Sequence, residues 1–165
     1  MAPEPNLRVL RPSRKPPRPG DVFAMLPPGG QYLFGRVIAT DASAGAFKPL
    51  LLIYIFSVRS PTMEMSDQGR LNPEDLLIPP IMTNRLPWIR GYFQTLGHRD
   101  LRSGDLLQVH CFRGQPRYGL DVYYDEHSNP LPGPVSPVGE WGLHSFRSID
   151  DQVSDALGVT RAPTR

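Results

Sequence analysis

Apolar residues along this chain fall into short runs separated by proline, glycine and polar clusters. That spacing predicts a sheet of short antiparallel strands rather than a bundle of long helices. The clearest unit is 20–39. Val22, Phe23, Met25 and Leu26 form one run, Pro27-Pro28-Gly29-Gly30 breaks it, and Tyr32, Leu33, Phe34, Val37 and Ile38 form the return strand. Gly35 in mid-strand predicts a bulge or a close backbone approach. Residues 50–58 are apolar almost throughout, which predicts a central strand covered on both faces. The small-residue segment between them, 40–49, reads as a loop.

The rest of the chain is more broken. Residues 59–70 are polar and irregular, with Met63 and Met65 as isolated apolar points. Asn72-Pro73-Glu74-Asp75 has the composition of a helix start, stopped by Pro79-Pro80. Residues 87–93 predict a strand bent at Gly91, and 106–112 and 118–124 predict two more. The four prolines of 125–137 mark a connector, and 138–146 a last extended segment in which Trp141 packs while the backbone turns. A helix is expected over 148–157, capped by Ser148 and stopped by Gly158, with Ile149, Val153, Ala156 and Leu157 on its buried face. Asp150, Asp151, Gln152 and Asp155 are left for its exposed face. The class is α+β, mainly antiparallel β: a curled, SH3-like, partly open barrel of five or six strands with a C-terminal helix, or alternatively an α+β sandwich.

Length and charge refine this picture. A chain of 165 residues fits one domain, here 20–158. Residues 1–19 hold six prolines and interleaved arginines and read as a disordered basic arm, a solvated tail or a weak contact to nucleic acid or membrane. Residues 159–165 read as a frayed tail. The arm through Gly20 carries a net charge of +4 within a total of +2, so the body is acidic; 121–155 alone carries −6. Such a flank suits a basic partner or simple solubility. No apolar run approaches the ~20 residues of a membrane span, no secretory h-region follows the first basic residues, and the single cysteine, Cys111, permits no internal disulfide. These features favour a soluble, reducing, intracellular setting.

Candidate chemistry is sparse. His98, His110, His127 and His144 stand apart and nominate no metal site. His110 and Cys111, adjacent on an expected strand, point to opposite faces, so Cys111 reads as a small buried residue. Neither a nucleophile elbow, a P-loop nor a dinucleotide fingerprint is present. A small hydrolase would have to use Ser145 or Ser148 with His144 and Asp150, or the pairs Asp125-Glu126 and Asp150-Asp151. A nucleic-acid-binding barrel would use Tyr118, Tyr123, Tyr124 and Tyr92 with Arg90, but Asp121, Asp125 and Glu126 repel phosphate. No cofactor is called for.

Gly20-Asp21-Val22-Phe23, Phe34-Gly35-Arg36-Val37, the run 51–56, Trp88 with Arg90-Gly91-Tyr92-Phe93, His110-Cys111-Phe112, Tyr123-Tyr124-Asp125-Glu126 and the closing run 141–151 occur in an order that resembles the immunity protein 26 family. The resemblance implies a non-enzymatic inhibitor from bacterial polymorphic toxin systems that binds a cognate toxin domain in the cytoplasm, the toxin often being a basic nuclease. It implies no catalytic residues, no direct nucleic-acid binding and no membrane partner. On this reading the partner-binding residues are Tyr123, Tyr124, Asp125 and Glu126, then Asp150, Asp151 and Asp155, with Trp88, Arg90 and Tyr92 as a further patch. Trp88 has a competing reading as a core residue.

Overall fold

The computed structural model describes residues 3–64 and 71–164; Met65 lies outside them. Its main body is an antiparallel sheet in the order β4-β3-β2-β1-β5, built from β1 (Asp21–Met25), β2 (Tyr32–Ala44), β3 (Phe47–Ser60), β4 (Ile81–Thr83) and β5 (Gln94–His98). The sheet stays open, with β4 and β5 at its edges. Strands β6 (Cys111–Arg113), β7 (Tyr123–Tyr124), β8 (Pro130–Leu131) and β9 (Val138–Glu140) form a second, smaller sheet in the order β8-β7-β6-β9; only β6 and β9 run parallel. Helix α1 (Leu86–Ile89) joins β4 to β5, and α2 (Phe146–Leu157) closes the chain. The α+β, mainly antiparallel class read from the sequence therefore holds.

The period of two along each strand divides the interior into two cores. Leu51, Ile53 and Ile55 of β3 join Phe23, Met25, Leu33 and Val37 on the face covered by Ile149 and Val153 of α2. Leu50, Leu52, Tyr54 and Phe56 join Val22, Ala24, Phe34 and Ile38 on the other face, against Phe112 of β6. Residues 50–56 are buried without interruption, as their continuous apolarity predicts. Phe23 anchors the first core, stacked on Phe93 at 4.6 Å and edge-on to Trp88 at 5.2 Å. Each such side chain contributes ~1.5–3 kcal/mol by burial. Gly35 is the close approach expected of it: a Cβ there would lie 2.3 Å from the Phe23 ring and 2.6 Å from Tyr54 O.

Several local expectations are corrected. The loop expected at 40–49 is instead the continuation of β2 and β3, joined at Gly45 (φ +61°). Register shifts along the pair and the small, buried Ala42 and Ala44 let the hairpin continue. No helix forms at 72–77, because Leu77 N–H donates to Ile55 O and Leu76 bridges Phe56, so strand pairing takes the backbone groups a helix would need. The strand expected at 87–93 is the helical turn α1. There Asn84 Oδ1 accepts from Leu86 N–H and Pro87 occupies the first turn, while Gly91 adopts φ +86°. The strands expected over 106–112 and 118–124 shrink to β6 and β7. Helix α2 starts earlier than expected, with Ser145 as the cap accepting from Ser148 N–H; Gly158 ends it at φ +70° as read.

The arm and tail are also corrected. Far from trailing in solvent, 3–19 lies along the body. Leu7 is buried in the first core. Arg8, Leu10 and Ser13 N–H donate to the carbonyls of Leu26, Gly91 and Trp88. The composition hid this because one apolar residue and backbone hydrogen bonds do the holding. The tail is held through Arg161, with Val159 N–H donating to Ser154 O and Asn6 to Thr160 O.

Candidate functional site

The two sheets meet through a chain of polar side chains that crosses the second core. Leu107 N–H donates to Tyr54 Oη (3.0 Å), so the hydroxyl proton is directed at His110 Nε2, 2.6 Å away. That leaves Nδ1–H to donate to Glu126 Oε2, also at 2.6 Å. Burial pushes the Tyr54 hydroxyl up to about 12, with the Leu107 bond opposing it. Burial would also raise Glu126, but the hydrogen bond from His110 opposes it and the carboxyl is held below its ordinary value. The hydroxyl–imidazole–carboxylate order has the form of a nucleophile triad. Tyr54 is fully buried, however, so no reacting molecule reaches its oxygen. The chain fastens β3 to β6 and the 125–129 turn.

That turn holds two of the sequence-predicted contact residues, and both are committed inside the molecule. Asp125 Oδ1 accepts from His127 and Asn129 N–H, and Oδ2 from Asn129 Nδ2. These bonds, against the opposing effect of burial, lower its pKa. Ser43 N–H donates to Glu126 O and Ser128 Oγ to Ser43 O, docking the turn on β2. Tyr124 stacks on Trp141 with centroids 4.5 Å apart; Tyr123 is half-buried beside it.

The other predicted contacts do not gather around these. Asp150 is 2 % exposed, a correction to its expected place on a surface: it accepts from Asn6 and Leu7 N–H at 2.9 and 2.8 Å and so clasps the arm. Trp88, 1 % exposed, is the core residue of its competing reading. Tyr92 is buried against Phe146, while Arg90 is exposed. Asp151 and Asp155 both face Arg161, whose guanidinium bonds Asp155 through two nitrogens at 2.9 and 2.6 Å. The Arg161 bonds lower Asp155 and raise Arg161 itself. The acidic flank is thus dispersed and partly neutralised.

What the molecule does expose is the tip between β6 and β7. Arg117 and Leu120 exchange both backbone hydrogen bonds, at 2.9 and 2.8 Å, across Tyr118 (φ +52°) and Gly119 (φ +74°). Two positive φ angles in a two-residue turn are the pattern of a type I′ hairpin. Tyr118 carries a cost of about 1–2 kcal/mol in that region. Its side chain is fully exposed and Leu120 is 69 % exposed. Gly114 N–H donates to Val122 O below the tip, where a Cβ on Gly114 would meet the Tyr124 ring at 2.6 Å. The hairpin is therefore held at its base while presenting an aromatic and an aliphatic side chain to solvent. In the sequence, Arg117-Tyr118-Gly119-Leu120 carried one signal of this, an aromatic beside glycine between apolar runs.

The remaining catalytic constellation is not assembled. His144 Nδ1 lies 3.0 Å from Ser148 Oγ, but Nε2 faces Glu140 O, and Asp150 is occupied by the arm. Among the described residues no three His, Cys, Asp or Glu side chains are grouped to hold a metal ion, and no helix is long and apolar enough to cross a membrane.

The sequence profile described as Immunity protein 26 matches residues 18–115. It covers β1 through β6 and stops just short of the exposed tip. No curated protein and no solved structure matches the chain.

Proposed function

This chain belongs to the immunity protein 26 family, and on that premise we propose that it binds a cognate bacterial toxin domain and neutralises it by non-covalent occlusion. The Tyr118–Leu120 tip is the anchor. Tyrosine supplies a large contact area at low conformational cost, and a pre-formed turn adds little ordering cost on binding. Tyr118 is fully exposed and Leu120 largely so. Tyr123 and the exposed Asp121 extend this surface toward Asp125 and Glu126. Arg90, Asp151 and Asp155 lie outside the anchor and serve at most as rim charges. With Asp125, Glu126, Asp150, Asp151 and Asp155 already engaged inside the molecule, the charge that favours a basic toxin at the tip is the exposed Asp121; a nuclease is the fitting class, met in the cytoplasm of the producing cell.

The test is co-expression with the toxin domain encoded next to this protein's gene. The native chain should rescue growth and co-purify with the toxin. Tyr118→Ala with Leu120→Ala should stay folded by circular dichroism yet weaken binding ~30-fold or more, the scale of a lost hot spot. Failure of the native chain to rescue or co-purify overturns the inhibitor reading. Full rescue by the double variant with unchanged affinity overturns the anchor.

A further inference from the structure

We infer that the cleft between the arm and β5 receives an extended, acidic peptide segment, which adds to the sheet as a strand beyond β5. This second interaction surface does not depend on the role of the Tyr118–Leu120 tip.

Strand β5 ends the sheet and, among the described residues, pairs only with β1, so its outer row of N–H and C=O groups has no strand partner there. Proteins ordinarily blunt such an edge with a lysine, a proline or a covering segment. None of the five residues of β5 is lysine, arginine or proline. The covering segment is present but stands off. The arm is tied down at Ser13 by Trp88 O and at Arg18 by Asp21 Oδ2, and between it and β5 lies a cleft of about 520 Å³. That is within the roughly 300–1,000 Å³ that ligand pockets span. Thr95 and Gly97 are exposed on the strand side, and the space over Gly97 is open.

The charge of the cleft selects the occupant. Arg11, Lys15 and Arg18 line it, all exposed. The one carboxylate in its lining, Asp21, is already engaged by His98 Nδ1 at 2.9 Å and by the Arg18 N–H. His98 in turn turns its Nε2 to Asp100, which is almost fully exposed. Arg18 Nε also lies 3.8 Å from Asp21 Oδ1, so Arg11 and Lys15 are the cations left to face the open strand edge. An extended peptide meets both demands at once: its backbone completes the ladder, and carboxylates on alternate residues reach the arm. Nucleic acid would meet chiefly the charge, because no Phe, Tyr or Trp lines the cleft and its one aromatic ring, His98, is held between the carboxylates of Asp21 and Asp100, which repel phosphate.

The probe is a blocked seven-residue peptide alternating glutamate and valine, titrated into the full chain at low and high salt. Saturable binding that weakens with salt is expected. Hydrogen exchange at the β5 amides should slow in the complex. Arg11→Glu with Lys15→Glu should weaken binding about tenfold or more. So should methylation of alternate peptide nitrogens, which removes ladder donors while keeping every charge. Absence of saturable binding up to about 1 mM overturns the proposal. Equal binding by the methylated peptide, or by a single-stranded oligonucleotide of matched charge, also overturns it, since the arm would then be a patch for polyanions in general.

Discussion

The two sheets are held by different physics. In the larger one, seven consecutive residues of β3, 50–56, are buried with apolar neighbours on both faces. In the smaller one, strands of two or three residues depend on polar ties: Tyr54–His110–Glu126, the Asp125-capped turn and the Ser43–Ser128 contact. Burial of area responds little to pH, whereas a tie through a carboxylate fails when that carboxylate is protonated. The contrast also separates tasks. The larger sheet provides a rigid frame, and the smaller one, freed from supplying most of the core, carries the exposed tip.

The largest effect should come from the frame. Phe23→Ala removes a fully buried ring from a three-ring cluster and should cost ~3–5 kcal/mol in urea denaturation. A cost below that of the polar-tie variants would reverse the comparison. Next is the arm's clasp. Asp150→Ala leaves two amides, of Asn6 and Leu7, without their acceptor and should cost ~2–3 kcal/mol, with faster exchange at Leu7. Unchanged protection there would mean that Leu7's burial alone retains the arm.

Smaller and pH-dependent is the tie between the sheets. The Glu126 carboxyl is lowered in the folded chain, so its contribution is complete above its ordinary value of 4.5 and disappears as pH falls through the folded value. Glu126→Gln should therefore reduce stability at neutral pH and make the acid limb of the stability curve shallower. It should not flatten that limb, because Asp105 and Asp125 are lowered too. An acid limb parallel to that of the native chain would remove Glu126 from the tie. The smallest effect belongs to the tip: Tyr118→Ala should shift stability by no more than about 0.5 kcal/mol, although it is aimed at the strongest binding contact. A large loss of stability would make Tyr118 a structural residue.

The buried Arg36 sharpens the same contrast from inside the frame. It lies on the second-core face of β2, 1 % exposed, with Nη2 donating to the carbonyls of Gly20 and Arg99 and Nη1 3.2 Å from Asp105. Burial lowers its pKa and Asp105 opposes that shift. One charged group thus ties the start of β1 to the 3₁₀ turn at Ser103–Asp105, where apolar packing alone leaves backbone carbonyls to satisfy.

Alternation and turn chemistry in the sequence alone determined the first hairpin, the doubly covered β3, the close approach at Gly35 and the stop of α2 at Gly158, because these depend on neighbours within a few residues. The family was legible for the same reason: its motifs are short local runs, of which 20–23, 34–37 and 51–56 fall on strands of the frame. Tertiary structure decided the rest. Asp150 looked like part of an exposed face until Asn6 and Leu7, over 140 positions away, claimed it. Glu126 looked like a free carboxylate until His110 met it, and Tyr118 became the most exposed aromatic only because its turn is pinned at the base. Local pattern states what a side chain prefers; which charges remain available to a partner depends on which distant groups the fold has already spent them on.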